Sequence, residues 1–174
     1  YSFCLPISKA GTTFSAICLI LLWFIESNFK VKISLIKSNK FMIVLGTFLL
    51  LSFLSIFWSS DTSFAVDYIR KYWHFLIIPI IYTSLDRSYI KHVFSAFLLG
   101  MFISEIVSYG IFFEFWTKEG VSPNDPSPFM DHTNYSIYLA FTVFILMHRI
   151  LFEPLIKWKI MYGVFMLFSM SNML

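Results

Sequence analysis

Long apolar runs, separated by short polar segments, are the feature that most constrains how this chain can fold. A helix that crosses a bilayer needs about 20 mostly apolar residues, with about 17 to 25 tolerated. The 174 residues are 58% hydrophobic and 13% charged, whereas about a quarter of a soluble domain is charged. The sequence therefore predicts an all-α, polytopic transmembrane helical bundle. The six candidate spans are 9–25, 41–58, 72–85, 93–116, 132–150 and a run that starts at residue 160.

Lysine and arginine predict the orientation of these spans, because cytoplasmic loops are enriched in both residue types. The segments after the first, third and fifth spans carry Lys30, Lys32, Lys37, Lys40, Arg87, Lys91, Arg149, Lys157 and Lys159. The other side carries Lys9, Arg70, Lys71 and Lys118. We therefore expect the richer side to be cytoplasmic, and the loops near 58–71 and 117–131 to face the periplasm. We also expect residues 1–174 to be a single transmembrane region and part of a longer protein, because the last apolar run stops unfinished.

A stripe of polar residues precedes the third span. Asp67, Arg70, Lys71 and His74 recur at i, i+3, i+4 and i+7, so a helix would place them on one face. One interpretation is a site for phosphate or pyrophosphate, since the planar guanidinium of arginine donates two parallel hydrogen bonds to phosphate oxygens. The other is an interfacial helix in which Asp67 pairs with a neighbouring cation. Both interpretations remain open from the sequence.

Glu105 lies near the middle of the fourth span, in "MFISEIVSY". A charged residue at the bilayer centre costs about 2.5–3.5 kcal/mol on insertion scales, so such residues usually face a bundle interior or a wet cavity. Ser104 and Ser108 are close enough to share that face. We expect a buried polar residue that either lines a cavity or hydrogen-bonds a neighbouring helix.

The densest polar chemistry lies at the start of the fifth span, in "DPSPFMDHTNYS". Asp131 or Thr133 is placed to cap the helix, and a polar mouth then forms at its N-terminus from His132, Asn134 and Tyr135. The backbone N–H groups and dipole at a helix N-terminus attract anions, and a histidine there is able to move protons. The alternative is ordinary helix capping. The preceding loop is stiffened by Pro123, Pro126 and Pro128.

Several other classes of site find no support in the sequence. No metal-ligand spacing, glycine-rich phosphate loop or Ser-His-Asp arrangement is visible. We therefore expect no metal and no cofactor. The net charge of +3 is spread between apolar spans, which does not indicate a nucleic-acid partner.

Three stretches resemble the O-antigen ligase and polymerase superfamily of membrane proteins, which have a Wzy_C-type second half. "LPISKAGTTFSAICLILLW" resembles an early outer turn with Pro-Ile-Ser, followed by a helix. "LSIFWSSDTSFAVDYIRKYWHFLIIPIIY" resembles a helix that ends in Trp-Ser, an outer loop and a returning helix. "SPFMDHTNYSIYLAF" resembles the Phe-x-x-(His/Pro)-x-Asn start of the following helix.

The resemblance implies a metal-independent, GT-C-type glycosyl transferase in the bacterial inner membrane. Such a ligase transfers undecaprenyl-pyrophosphate-linked polysaccharide to lipid A–core at the periplasmic face, whereas a polymerase transfers it to another carrier-linked repeat. On this basis Arg70, Lys71, His132 and Asn134 would help to bind the pyrophosphate, and Glu105 would be structural. The resemblance also implies that residues 1–174 are the N-terminal half of such a protein. The family's principal catalytic residues belong to its second half, so no catalytic residue is assigned and the fragment alone should be inactive. A polytopic transporter or flippase, or a membrane scaffold, is the alternative from another class.

Overall fold

The computed structural model describes residues 1–116 and 126–172, and all regular elements in these two ranges are helices. The predicted all-α fold is therefore confirmed. Residues 117–125 of the predicted loop 117–131 lie outside the described residues, whereas most of the loop near 58–71 is helical. The α-helices are α1 (Lys9–Ile25), α2 (Phe29–Ser38), α3 (Lys40–Leu54), α4 (Thr62–Arg70), α5 (Ile77–Ser84), α6 (Ile90–Phe112), α7 (His132–Phe152) and α8 (Ile156–Ser171).

The described residues contain fewer spanning helices than the six expected. Lys40–Trp58, Arg87–Phe112 and His132–Phe152 are long and apolar enough to cross a membrane, and α1 with α2 adds a fourth if this pair forms one bent span. The predicted apolar runs form helices, but local backbone geometry makes some of these helices short or bent. Ser27 adopts a positive φ of 57° at the end of α1, and α2 leaves at an angle of 112°.

The third predicted span is interrupted by a proline. Pro79 lies in the first turn of α5, which has only eight residues and follows a 3-10 segment, Lys71–Leu76. A proline ring clashes with the carbonyl of residue i−4, here Phe75, and so disfavours a regular α-helix through that point. The sixth expected span is α8, whose 16 residues fall short of spanning length.

The chain divides into two compact units, Tyr1–Ser15 with Ser88–Leu174, and Ala16–Arg87. We call them the first and the second unit. Helix α1 begins in the first unit and continues in the second.

A buried lysine holds the bend between α1 and α2 in the second unit. The Lys32 side chain is 3% exposed. Its ammonium donates to the Trp23 carbonyl at 2.7 Å, pairs with Glu26 Oε2 at 2.9 Å and lies 4.7 Å from the Trp23 ring centroid. The Trp23 indole N–H donates in turn to Thr83 Oγ1 at 2.8 Å, which ties α1 to α5. The burial of this cation is thus compensated by a carboxylate, a carbonyl and an aromatic face.

The core of the first unit lies between α6 and α7. Phe97 and Met101 of α6 pack against Tyr135 and Leu139 of α7, and all four are at most 3% exposed. Helix α8 adds Phe165, which partly covers this core. The three helices α6, α7 and α8 therefore form one packed group.

The irregular segment before α1 packs along α6. Ser2 Oγ donates to the Val93 carbonyl at 2.9 Å, and Pro6 is buried against Gly100. Such a non-helical segment at the depth of the membrane is tolerated where neighbouring protein covers its backbone. This packing delivers Lys9, the first residue of α1, to the start of α7.

Candidate functional site

Helix α4 is anchored at its start by Asp61. The Asp61 carboxylate accepts from the backbone N–H of Phe64 at 3.0 Å and from the Ser63 hydroxyl at 2.8 Å. These two hydrogen bonds hold the pKa of Asp61 below its ordinary value. The capped helix fixes the position of the basic residues at its other end.

Arg70 and Lys71 are exposed and have partners on α4 itself. Arg70 Nη1 lies 3.4 Å from Asp67 Oδ1, and these side chains are 77% and 72% exposed. The Lys71 ammonium lies 5.5 Å from the Tyr68 ring centroid. The interfacial interpretation predicted a pair between Asp67 and a neighbouring cation, and this pair is observed. Because the pair is exposed, it contributes only about 0–1 kcal/mol to stability. The stripe also stays accessible to an anion.

The opposite face of α4 lines a groove of about 330 Å³ in the second unit. Phe64 and Tyr68 form its wall together with Ser52 and Ser55, from the end of α3 and the turn after it. Arg70 and Lys71 do not line this groove. The basic pair is therefore a surface feature of the second unit.

The mouth of α7 contains an ion pair that the sequence did not indicate. Asp131 occupies the N-cap position, but its side chain makes no capping hydrogen bond. Instead, Asp131 Oδ1 lies 3.2 Å from the Lys9 ammonium, and Oδ2 accepts from the Asn134 amide at 3.2 Å. His132 is exposed in the same turn. Lys9 is 122 residues away from Asp131 in the sequence, and no local pattern relates the two residues.

The structure brings His132 and Asn134 together in the first unit, the unit that also contains Glu105. Arg70 and Lys71 belong to the second unit. The four residues predicted to bind pyrophosphate thus form two pairs, one in each unit.

Glu105 lies in a buried polar cluster that joins α6 to α8. Glu105, Ser108 and Ser169 are fully buried. Ser169 Oγ donates to Glu105 Oε1 at 2.9 Å, and Ser108 Oγ donates to Asn172 Oδ1 at 3.1 Å. Ser169 and Asn172 were missed in the sequence analysis. Their spacing of three residues near the end of the last apolar run was the available signal, because it places both on one face of a helix.

Tyr135 connects this cluster to the mouth of α7. It lies one turn after Asp131, and its side chain is 3% exposed. Its hydroxyl lies close to the hydroxyls of Ser104 and Ser108 but forms no well-aligned hydrogen bond with either. Tyr135 therefore places the buried cluster about one helical turn from the N-terminus of α7.

Four buried polar atoms of this site have no hydrogen-bond partner among residues 1–116 and 126–172. They are Ser104 Oγ, Glu105 Oε2, Tyr135 OH and Asn172 Nδ2. Most buried polar atoms in proteins have a partner, and intramembrane carboxylates usually mark functional positions. The cluster is therefore a candidate functional site as well as a contact between helices.

The donor set of the described residues does not suggest a metal centre. Among them, no three His, Cys, Asp or Glu residues lie close enough together to hold a metal ion. The site's chemistry comes instead from hydroxyls, an amide and single ionisable groups.

Comparison with known proteins gave no match to a protein-family model, to a curated protein or to a solved structure. A function for this chain therefore has to be inferred from its own residues and contacts. The membership of the O-antigen ligase superfamily stays a prediction.

Proposed function

We propose that this chain is the membrane-embedded part of a GT-C-type glycan transferase of the O-antigen ligase kind. It would act at the periplasmic face of the bacterial inner membrane, on polysaccharide linked to undecaprenyl pyrophosphate, with lipid A–core as the acceptor. The observation that carries the proposal is the 3.2 Å ion pair between Lys9 and Asp131. It joins two of the stretches that resemble the family, "LPISK" and "SPFMDHTN".

The mouth of α7 has the chemistry that a pyrophosphate leaving group requires. Lys9 supplies an ammonium, and the N-terminus of α7 supplies the positive end of the helix dipole. His132 and Asn134 add donors in the first turn of the helix. Such preorganised groups stabilise the charge that develops on a leaving group. The pyrophosphate would replace Asp131 as the partner of Lys9, which the 71% exposure of the lysine side chain permits.

The buried cluster would position this mouth. The hydrogen bond from Ser169 to Glu105 fixes α8 against α6. Tyr135 packs into the core between α6 and α7 and lies one helical turn after Asp131. A shift in this cluster would move the first turn of α7, so Glu105 is a positioning residue in this proposal.

Deletion of the corresponding gene, followed by gel analysis of the surface polysaccharide, tests the proposal. Loss of the long lipopolysaccharide ladder, with carrier-linked polymer accumulating, is the expected result. Core that carries a single repeat would instead identify a polymerase of the same superfamily. An unchanged ladder would refute both activities.

Complementation with variants of the full-length gene tests the mouth itself. Lys9→Met should restore little of the ladder, whereas the exposed Lys30→Met control, in the second unit, should restore it fully. Asp131→Asn removes only the carboxylate that the pyrophosphate would displace, so it should also restore the ladder. Equal restoration by Lys9→Met and Lys30→Met would remove the mouth from the mechanism. Blotting of membrane fractions establishes that each variant is present in equal amount.

A polytopic transporter or flippase is the second candidate, because Glu105 is a fully buried carboxyl with one unpaired oxygen among the described residues. Intramembrane carboxyls commonly carry protons in transporters. Glu105→Gln separates the candidates, since glutamine keeps the oxygen that accepts from Ser169 but cannot exchange a proton. A transferase should retain its ladder with this variant, whereas proton-coupled transport should be lost.

A further inference from the structure

An apolar groove of about 810 Å³ runs between α6 and α8 in the first unit. Its volume falls within the range of small-molecule sites, about 300–1,000 Å³. Leu99 and Val164, which line it from the two helices, are 56% and 63% exposed, so the groove is open along its length. The wall is formed mainly by Leu99, Phe102, Ile106, Met161, Val164 and Phe168.

One end of the groove is polar and positively charged. Arg149 of α7 lines it, and its Nη2 donates to the Ser95 hydroxyl at 2.7 Å and to the Lys91 carbonyl at 3.1 Å. Its Nη1 donates to the Tyr162 hydroxyl at 3.3 Å. Three of the five guanidinium N–H groups are thus used. These partners are neutral oxygens, so they orient the guanidinium without cancelling its charge.

The polar end has the composition of a membrane–water boundary. The Tyr162 ring lies 5.6 Å from the Arg149 guanidinium and stacks on Trp158 at a centroid distance of 6.3 Å. Tyrosine and tryptophan concentrate at the level of lipid headgroups, where their rings have both an apolar and a polar side. Arg149 is therefore placed at headgroup depth.

The length of the groove matches one leaflet. From Ser95 to Ile106 the wall advances eleven positions along α6, which corresponds to a rise of about 17 Å at 1.5 Å per residue. Half of a hydrocarbon core about 30 Å thick is about 15 Å. One acyl chain of a single leaflet thus fits from the polar end to the far end.

The two ends of the first unit differ in charge. Where α6 and α8 begin, the described cations are Lys91, Arg149, Lys157 and Lys159, against one carboxylate, Glu153. At the opposite end, the described charged residues are Lys9, Glu114 and Asp131. The end that carries Arg149 is therefore complementary to an anionic headgroup, and the positive-inside pattern assigns it to the cytoplasmic leaflet.

We propose that this groove binds one anionic phospholipid, with its phosphate at Arg149 and an acyl chain along the wall between α6 and α8. The site is separate from the mouth of α7, and the proposal does not depend on the proposed glycan transfer. Its role would be to fill the groove and so fix α8 against α6.

Native mass spectrometry of the full-length protein in detergent tests the proposal. Phosphatidylglycerol and phosphatidylcholine with identical acyl chains are the probes. The wild type should retain phosphatidylglycerol preferentially. Arg149→Gln should reduce this preference about fivefold, as expected for roughly 1 kcal/mol per cation at the bilayer surface. Arg149→Lys keeps the charge and should keep most of the preference.

A second pair of variants tests the wall. Val164→Trp fills the groove and should lower the retention of both lipids, whereas Leu167→Trp places the same large side chain at an exposed position of α8 outside the groove. Equal retention in these two variants, or an unchanged preference in Arg149→Gln, would overturn the proposal. Displacement of the lipid by excess inorganic phosphate would also overturn it, because the site would then recognise phosphate alone. Size-exclusion profiles establish that each variant is folded.

Discussion

Replacing Gly100 by alanine tests how tightly the segment before α1 packs on α6. A Cβ atom at this position would lie 2.6 Å from the Phe3 carbonyl oxygen and 2.7 Å from Pro6 Cγ. Real Cβ atoms essentially never make contacts this short. One of the two contacts is with backbone, so relief requires the whole segment to move and a side-chain rotation is not enough. We expect Gly100→Ala to destabilise the first unit.

The size of the effect follows from two opposing contributions. Alanine is more favourable than glycine in a helix interior by about 1 kcal/mol. Overpacking of a tight contact typically costs about 1–3 kcal/mol. Gly163 of α8 is the matched control, because a Cβ there meets nothing within 4 Å. The propensity gain is common to both substitutions, so their difference of about 1–3 kcal/mol isolates the overpacking.

Thermal unfolding of the full-length protein in detergent, followed by fluorescence-detected size exclusion, provides the measurement. Gly163→Ala should have a Tm equal to or above that of the wild type, and the Tm of Gly100→Ala should lie at least about 2 °C below that of Gly163→Ala. Adding Pro6→Ala to Gly100→Ala removes one of the two contacting atoms and should recover part of the loss. Identical Tm values for the two glycine variants would refute the packing of this segment on α6.

Three further perturbations address the other contacts. A double-mutant cycle of Glu105→Leu and Ser169→Ala, followed by unfolding in detergent, should give a coupling of about 0.6 kcal/mol, the average for hydrogen bonds between membrane helices, and of about 1.7 kcal/mol at most. Additive effects would show that this bond does not contribute to stability. Glu26→Ala leaves the buried Lys32 ammonium without its carboxylate, so it should lower the Tm of the protein more than Asp67→Ala, which removes the exposed ion pair of α4. An equal fall in Tm would contradict the role of Lys32. Asp61 has a lowered pKa in the folded protein, so its stabilisation of α4 is complete above its ordinary pKa and is lost as the pH falls through the lower folded value. Tm measured against pH should therefore show a smaller acid loss in Asp61→Asn, and an unchanged profile would exclude the carboxylate as the cause.

The sequence predicted the helical class and the polar positions more successfully than the boundaries of the spans. Hydropathy responds to composition, and the apolar runs are present where they were expected. It does not respond to a positive φ at Ser27 or to the clash between Pro79 and the carbonyl of Phe75. Both are local backbone effects, and they turn runs of sufficient hydropathy into short or bent helices.

The candidate site was predictable in part. Glu105 stood out because a carboxyl inside an apolar run requires a compensating environment. His132 and Asn134 stood out as polar residues at a helix start. Lys9 did not, because its contact with Asp131 depends on how the segment before α1 packs along α6, and no residue pattern encodes a pairing across 122 positions.

The two faces of α6 explain why the lipid groove could not be predicted. Phe97, Met101, Ser104 and Ser108 follow the spacing i, i+4, i+7 and i+11 and form the inner face. Ser95, Leu99, Phe102 and Ile106 repeat the same spacing two residues earlier and form the groove wall. A shift of two residues rotates the stripe by about 200° on a helix with 3.6 residues per turn.

Both stripes of α6 combine large apolar residues with serine, so their composition does not tell them apart. In a soluble protein the face that contacts solvent would be polar, and the period would reveal the inner face. In a bilayer, lipid is as apolar as a neighbouring helix, and this contrast disappears. The two faces differ in their contacts. Glu105 accepts a hydrogen bond from Ser169 inside the helix group, whereas Leu99 is 56% exposed and lines the groove together with Arg149. The same helix thus supports the polar mouth through one face and offers a lipid-sized groove on the other, and substitutions on each face should affect its own site first.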